Sequence, residues 1–271
     1  MTAERVGNAD TLDVRIAVMS LLWGNPHGEA LIPWLQDVRA AGYEGISGFA
    51  HLGWQRYLDE PTSFKSVLDD HGLPLASLLA SAENDLDEFR RVCAFMAAVD
   101  CRILVCNGGI GGVAASYGEM GERMNRIGEI ALEHGVRAHY HNGRARETLE
   151  DMDELIERTD PEKVFVMCDL GHATRDFVNQ PVEKRAMAFL RRYADRLDFV
   201  EFKDWHPETD LNTPLGEGLC DYPSVFAFLR EQKYTGWIVV EQNGGSKLSR
   251  GREPIECARI SREFVHQGLG V

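Results

Sequence analysis

VRAHYHNGRARETLEDMDELIERTDPEKVFVMCDLGH, residues 136–172, contains one full period of the pattern that decides the fold. VRAHYH (136–141) and KVFVMCD (163–169) read as buried strands, and TLEDMDELIERT (148–159) between them reads as a helix. Two strands joined through a helix lie parallel in one sheet. Both strands end in polar groups: His139 and His141 on the first, Asp169 on the second, with His172 three residues further on.

The same period repeats in both directions. Upstream, strands are read at 14–20, 43–49, 73–80 and 102–107. Helices are read at 28–42, 63–72, 85–99 and 117–135. The helix at 85–99 spaces Leu86, Phe89, Val92, Cys93 and Met96 into one apolar stripe. Downstream, strands at 197–203 and 237–243 alternate with helices at 182–196, 222–236 and 253–268. Eight strand–helix units follow one another through residues 1–271 as a single domain, with no Pro- or Ser-rich linker. Residues 1–12 read as a flexible lead-in. Eight units in about 250 residues predict an α/β chain folded as a (β/α)8 TIM barrel, with its site at the C-terminal ends of the strands. An open doubly wound sheet would show a Gly-rich phosphate loop after the first strand. LLWGNPHG (21–28) fits neither form of it. Gly108, Gly109, Gly111 and Gly112 read as a flexible loop after the fourth strand.

The formal net charge of -14 argues against a nucleic-acid phosphate surface, which needs a basic face. No apolar run approaches the roughly 18 residues of a membrane span. MTAERVGNADTLDV lacks the basic and apolar regions of a signal peptide. The six cysteines form no CxxC pair and read as reduced, buried thiols, which suits the cytoplasm.

Four segments place acids or imidazoles where apolar runs end: HYHN (139–142), CDLGH (168–172), VEFKD (200–204) and VVEQN (239–243). Charges there are unfavourable unless something pairs them. A divalent cation at the barrel mouth is the simplest shared partner. Glu201 and Lys203 alternate onto one face, with Asp204 turned away or into the next loop; His139 and His141 likewise share a face. The plainer alternatives are a rim ion pair for the first pair and hydrogen-bonded core imidazoles for the second. Oxygen donors with one or two imidazoles suit Mn²⁺ best, with Mg²⁺ or Co²⁺ also possible.

Nearly the whole chain resembles the xylose-isomerase-like TIM barrels, a family of sugar phosphate isomerases and epimerases. The most specific segments are DLGH (169–172), VEFKD (200–204), LGEGLCDYPSVFAFLREQKYTGWIVVEQ (215–242) and HNGRARET (141–148). The last three are most similar to the inosose (2-keto-myo-inositol) dehydratase branch. The resemblance implies a metal held by Glu, Asp, His and Glu from strands five to eight. Asp169 and Glu241 match directly. Glu201 stands where His is usual and His139 where Glu is common, which reads as an exchange of two ligands; Glu147 is the rival on strand five. Ser47 replaces a frequent Glu on strand two.

The implied activity is a metal-dependent dehydratase acting on a keto-polyol such as inosose through an enediolate. Lys203 would stabilise the enolate oxygen or move a proton. His141 and His172 would serve as acid or base, and Glu241 as ligand and base. Trp23, His51, Trp54 and Asn107 are the candidate substrate contacts, with ordinary loop packing as the alternative for the loop aromatics. Isomerisation or epimerisation of a ketose or keto-sugar, or elimination from a keto-glycoside, shares the first steps. A non-catalytic barrel subunit is a further reading. The expected partner is a small polyol or sugar, with no nucleic acid or membrane, in a possible homo-oligomer.

Overall fold

The computed structural model describes residues 12–144, 146–244 and 251–271. The lead-in read at residues 1–12 lies, up to residue 11, outside them. Eight parallel strands close into a barrel: β1 (Val14–Met19), β2 (Gly45–Phe49), β3 (Leu75–Ser81), β4 (Ile103–Asn107), β5 (Arg137–Tyr140), β6 (Val164–Asp169), β7 (Leu197–Phe202) and, after a small antiparallel hairpin of β8 (Asp204–His206) and β9 (Asp210–Thr213), β10 (Gly236–Val240). β1 pairs with β2 on one side and with β10 on the other, from Val14 opposite Gly236 to Val18 opposite Val240, which closes the ring. The expected (β/α)8 barrel is the fold observed.

The helices are α1 (Leu31–Ala40), α2 (Pro61–His71), α3 (Leu86–Ala98), α4 (Tyr117–Glu133), α5 (Leu149–Glu157), α6 (Leu170–Asp176), α7 (Arg185–Arg192), α8 (Tyr222–Glu231) and α9 (Pro254–Leu269). Side chains satisfy the free N–H groups at their starts. Asp85 accepts from Glu88 N–H, Ser116 from Glu119 N–H, and Thr148 with Asp151 forms a reciprocal box on α5. None of the helices is long and apolar enough to cross a membrane, among the described residues.

Strand alternation divides the apolar core in two. Ile16, Val18, Leu104 and Val200 face out and pack with helix residues such as Leu35, Val38 and Leu229. Ala17, Met19, Phe49, Val105, Met167, Phe199 and Val239 form a separate cluster made only of strand residues, filling the barrel. Burying each large member contributes about 1.5–3 kcal/mol before entropic costs.

Two regions depart from the sequence reading. The helix expected at 182–196 is shorter, and α6 precedes it directly after β6. The hairpin β8–β9 lies in a stretch with no strand pattern; its three and four residues are too few for a period to show.

His139 overturns one expectation. It faces the barrel interior as alternation requires, fully buried and in contact with Phe199. Its depth is wrong for a ligand at the mouth. Nδ1 meets Leu104 O at 3.1 Å and Nε2 meets Asp198 Oδ2 at 2.7 Å. Arg137 pairs with the same Asp198 at 2.8 Å. The trio is a polar plug nearer the strand starts.

Burial alone would raise the Asp198 carboxyl, but the His139 hydrogen bond and charge, with Arg137, outweigh it and hold the group below its ordinary 3.8. A depressed acid contributes stability above its unfolded pKa and loses it as pH falls through the folded value. Asp198→Asn is therefore expected to cost about 1.5–3 kcal/mol near neutral pH. The gap from wild type should close below about pH 4. Urea unfolding at the two pH values checks both statements.

Candidate active site

The polar ends of β5, β6, β7 and β10 meet at the C-terminal mouth. Asp169 ends β6 and caps α6: its Oδ1 accepts from His172 N–H at 2.9 Å. The helix-cap reading and the site reading of this residue are both realised, by different oxygens. Oδ2 lies 3.5 Å from His141 Nε2, 3.8 Å from Lys203 Nζ and 3.9 Å from His172 Nε2. Asn142 locks the Asp169 backbone in place, donating to its carbonyl at 3.0 Å and accepting from its N–H at 2.7 Å.

Glu201 sits on β7 with Oε2 3.4 Å from His141 Nε2. Lys203, just beyond β7, donates to Glu241 Oε1 at 2.5 Å. Asp169, Glu201 and Glu241 each bring a carboxylate oxygen within 4.8 Å of the others, and His141, Asp169 and His172 form an overlapping group of the same size. All are nearly sealed from solvent except His172, whose side chain is 13% exposed.

Two motif glycines make this approach possible. A Cβ on Gly171 would lie 2.8 Å from Lys203 Cγ, and one on Gly143 would lie 2.3 Å from His141 Nδ1. The glycines of DLGH and HNG are therefore spaces for the functional side chains beside them.

The electrostatics follow from crowding three acids in a dry place. Burial and the neighbouring Glu241 push the Glu201 carboxyl up. Burial would also raise Asp169, yet His172, Lys203 and His141 beside it hold it well down. For His141, burial opposes the charge, but Asp169 and Glu201 win and the imidazole is raised. His172 goes the other way: burial lowers it despite Asp169. Lys203 overcomes burial through Glu241 and Asp169 and stays cationic.

Among the described residues, Asp169 Oδ2, both oxygens of Glu201, Glu241 Oε2 and His141 Nδ1 are buried without a hydrogen-bond partner. An unsatisfied buried acceptor costs about 1–3 kcal/mol, more when charged. Several such oxygens converging beside one imidazole suit a hard divalent cation. The residues present fit such an ion.

The structure sorts the candidates. It brings His141, Asp169, His172, Glu201, Lys203 and Glu241 together. His141 occupies the place expected of His139. Glu147 corrects another expectation: it is buried, but its Oε1 accepts from Tyr140 OH at 3.4 Å, on the outward face of β5, and it joins neither acid cluster. Burial raises its carboxyl to about 8. Trp54 is no substrate wall. It is 1% exposed, packs between Trp34 and Phe64, and donates to Pro26 O. Trp23 is partly buried against Trp34 and donates to Asp37. His51 is half-buried, edge-on to Phe49 of the barrel interior, and Asn107 is half-buried at the end of β4.

Sequence reasoning gave no role to Asn142, Arg175 or Asp176. Asp176 Oδ2 lies 3.3 Å from His172 Nδ1 and takes both Arg175 Nε and Nη2 on its two oxygens at 2.8 Å. His172 and Asp176 are four apart, one helical turn, but that spacing signals only if α6 is recognised.

The fold and this ring of acids define a (β/α)8 enzyme-type barrel with a strand-end site. The family model for xylose isomerase-like TIM barrels matches residues 35–264, and the chain belongs to that family. It is similar to the inosose dehydratase of Geobacillus kaustophilus, 26% identical over 93% of each chain. It shares its fold with a D-allulose 3-epimerase from Methylomonas sp., at 20% identity and a TM-score of 0.71 over 97% of this chain and 100% of that one. It also shares it with a xylose isomerase-like TIM barrel protein from Mycobacterium smegmatis in complex with magnesium, at 19% identity and a TM-score of 0.72, covering 97% and 98%.

Gly171→Ala should force Lys203 aside. The expected cost is about 1–3 kcal/mol of overpacking. It should appear as a lower urea midpoint, with the far-UV spectrum of wild type retained.

Proposed function

We propose that the chain is a metal-dependent dehydratase that removes water from a keto-polyol such as an inosose. The observation that carries this reading is the convergence of three buried carboxylates with unbonded oxygens on His141, beside a buried cationic lysine. The inosose dehydratase relatives support the substrate class. His141, Asp169, Glu201 and Glu241 are the proposed ligands, and Mn²⁺ the proposed ion. A divalent cation bound there polarises a ketone and acidifies the neighbouring C–H.

The remaining steps belong to side chains. Lys203, held by Glu241, directs its ammonium protons at the oxygen that gains charge when the adjacent carbon loses its proton. His172 takes that proton at Nε2, because burial lowers the imidazole's pKa and Nδ1–H, donated to Asp176, leaves the Nε2 lone pair free. The electron pair of the broken C–H bond forms the new C=C bond as the β C–O bond breaks. His172 returns the proton to the departing oxygen, which leaves as water.

Asp169→Asn and Glu241→Gln are each expected to abolish Mn²⁺ binding in calorimetry while the circular dichroism spectrum stays that of wild type; full occupancy in either removes the metal site. Lys203→Met should retain Mn²⁺ and lose about 100–1000-fold in turnover. Inosose incubated with the enzyme and Mn²⁺ in heavy water should yield a product lighter by one water. A product changed only by deuterium uptake would instead establish epimerisation, in which the proton returns to carbon.

A further inference from the structure

Lys203 and Glu241 lie one residue beyond the last paired positions of their strands. The β7–β10 ladder runs from Val200 opposite Ile238 to Phe202 opposite Val240, and its final bond is Glu241 N–H to Phe202 O at 2.8 Å. Past that point the barrel's own hydrogen bonds do not hold the two side chains together.

Tyr222 OH donates to Lys203 O at 3.0 Å, and the chain after Lys203 makes further bonds. Asp204 follows Lys203 and, by alternation, turns away from the barrel interior into the excursion between β7 and α8. It is completely buried. Its carboxylate accepts four backbone N–H bonds: from Trp205 at 2.9 Å, Gly216 at 3.0 Å, and Gly218 and Cys220 at 3.1 Å each. The chain leaves through the β8–β9 hairpin and returns to the same carboxylate, forming a closed strap. The fit is tight, since a Cβ on Gly218 would lie 2.1 Å from Asp204 Oδ1.

The far end of the strap is tied to the exit of β10. Asn212 Nδ2 donates to Asn243 O at 3.0 Å and Gly244 O at 3.1 Å. Gln242 Nε2 donates to Asn212 O at 2.7 Å, and Asn243 N–H to Leu211 O at 2.9 Å. One loop thus joins the strand exit that carries Lys203 to the exit that carries Glu241.

We infer that Asp204 is a positioning residue: by clamping the strap it holds Lys203 against Glu241 beyond the end of the ladder. The role in turnover rests on the dehydratase reading above; the geometric claim does not. Asp204→Asn keeps the shape but puts an NH2 group where one oxygen faced two N–H donors. Asn212→Ala removes the two Nδ2 bonds to the β10 exit, leaves the two to main-chain oxygens, and does not touch Asp204.

The decisive measurement needs no substrate. Lys203 is labelled with a lysine-reactive ester and quantified by mass spectrometry, alongside hydrogen exchange of residues 205–220. Both variants are expected to label Lys203 about tenfold faster than wild type, with faster exchange in the strap. With inosose and Mn²⁺, the same variants should lose about 10–100-fold in kcat with KM little changed. A strap that exchanges faster while Lys203 labels at the wild-type rate overturns the inference. If wild type leaves inosose untouched, the dehydratase reading fails and the labelling result still decides the role of Asp204. Should Asp204→Asn not fold, Gly218→Ala, whose Cβ presses on Asp204 Oδ1, carries the test with the same labelling outcomes.

Discussion

Three carboxylates sealed from water within reach of one another are the constraint around which the rest of the mouth is arranged. Asp169, Glu201 and Glu241 would repel strongly if left alone in a low-dielectric place. The protein answers with His141 and Lys203 at 2.5–3.8 Å, and with oxygens left open on each acid. Such an arrangement is poor as a structural ion-pair network, which would satisfy its own acceptors. Its donor set is that of a seat for a cation.

The surroundings serve that cluster in distinct ways. Asn142 bridges β5 to β6 through the Asp169 backbone, so the two strands deliver His141 and Asp169 in a fixed relation. Gly143 and Gly171 remove side chains where His141 and Lys203 need room. Asp176 and Arg175 orient the imidazole of His172 from behind. At the opposite end of the barrel, His139, Asp198 and Arg137 make a second polar cluster whose bonds are all internal. The contrast separates the two: the lower cluster is satisfied and stabilises, whereas the upper one keeps open positions.

Much of the site was legible because an acid directly behind an apolar run is a local signal. Asp169 after VFVMC and Glu241 after WIVV carry it, and Glu201 with Lys203 adds alternation on one strand. His139 and His141 show where that signal stops. Both point inward, and two residues separate them by about 6.6 Å along a strand. Only the ring closure, which sets the height at which β5 meets β6 and β7, decides that His141 reaches the acids and His139 meets Asp198. Glu147 and Trp54 fail for a related reason. Each lies in a loop whose path depends on contacts outside its own segment, Glu147 with Tyr140 of β5 and Trp54 with Pro26 and Phe64.

The sequence by itself determined the eight alternating strand and helix periods, the single domain they imply, and the faces on which Asp169, Glu201, Lys203 and Glu241 lie, because backbone periodicity is a local property. The tertiary structure alone decided depth, the short α6, and the strap that returns to Asp204. Those depend on strand register around a closed ring and on hydrogen bonds between residues 12 to 35 positions apart, such as Asp204 with Gly216 and Asn212 with Asn243. No window of local sequence contains both partners of such a bond, so the physics that places them is visible only once the barrel has closed.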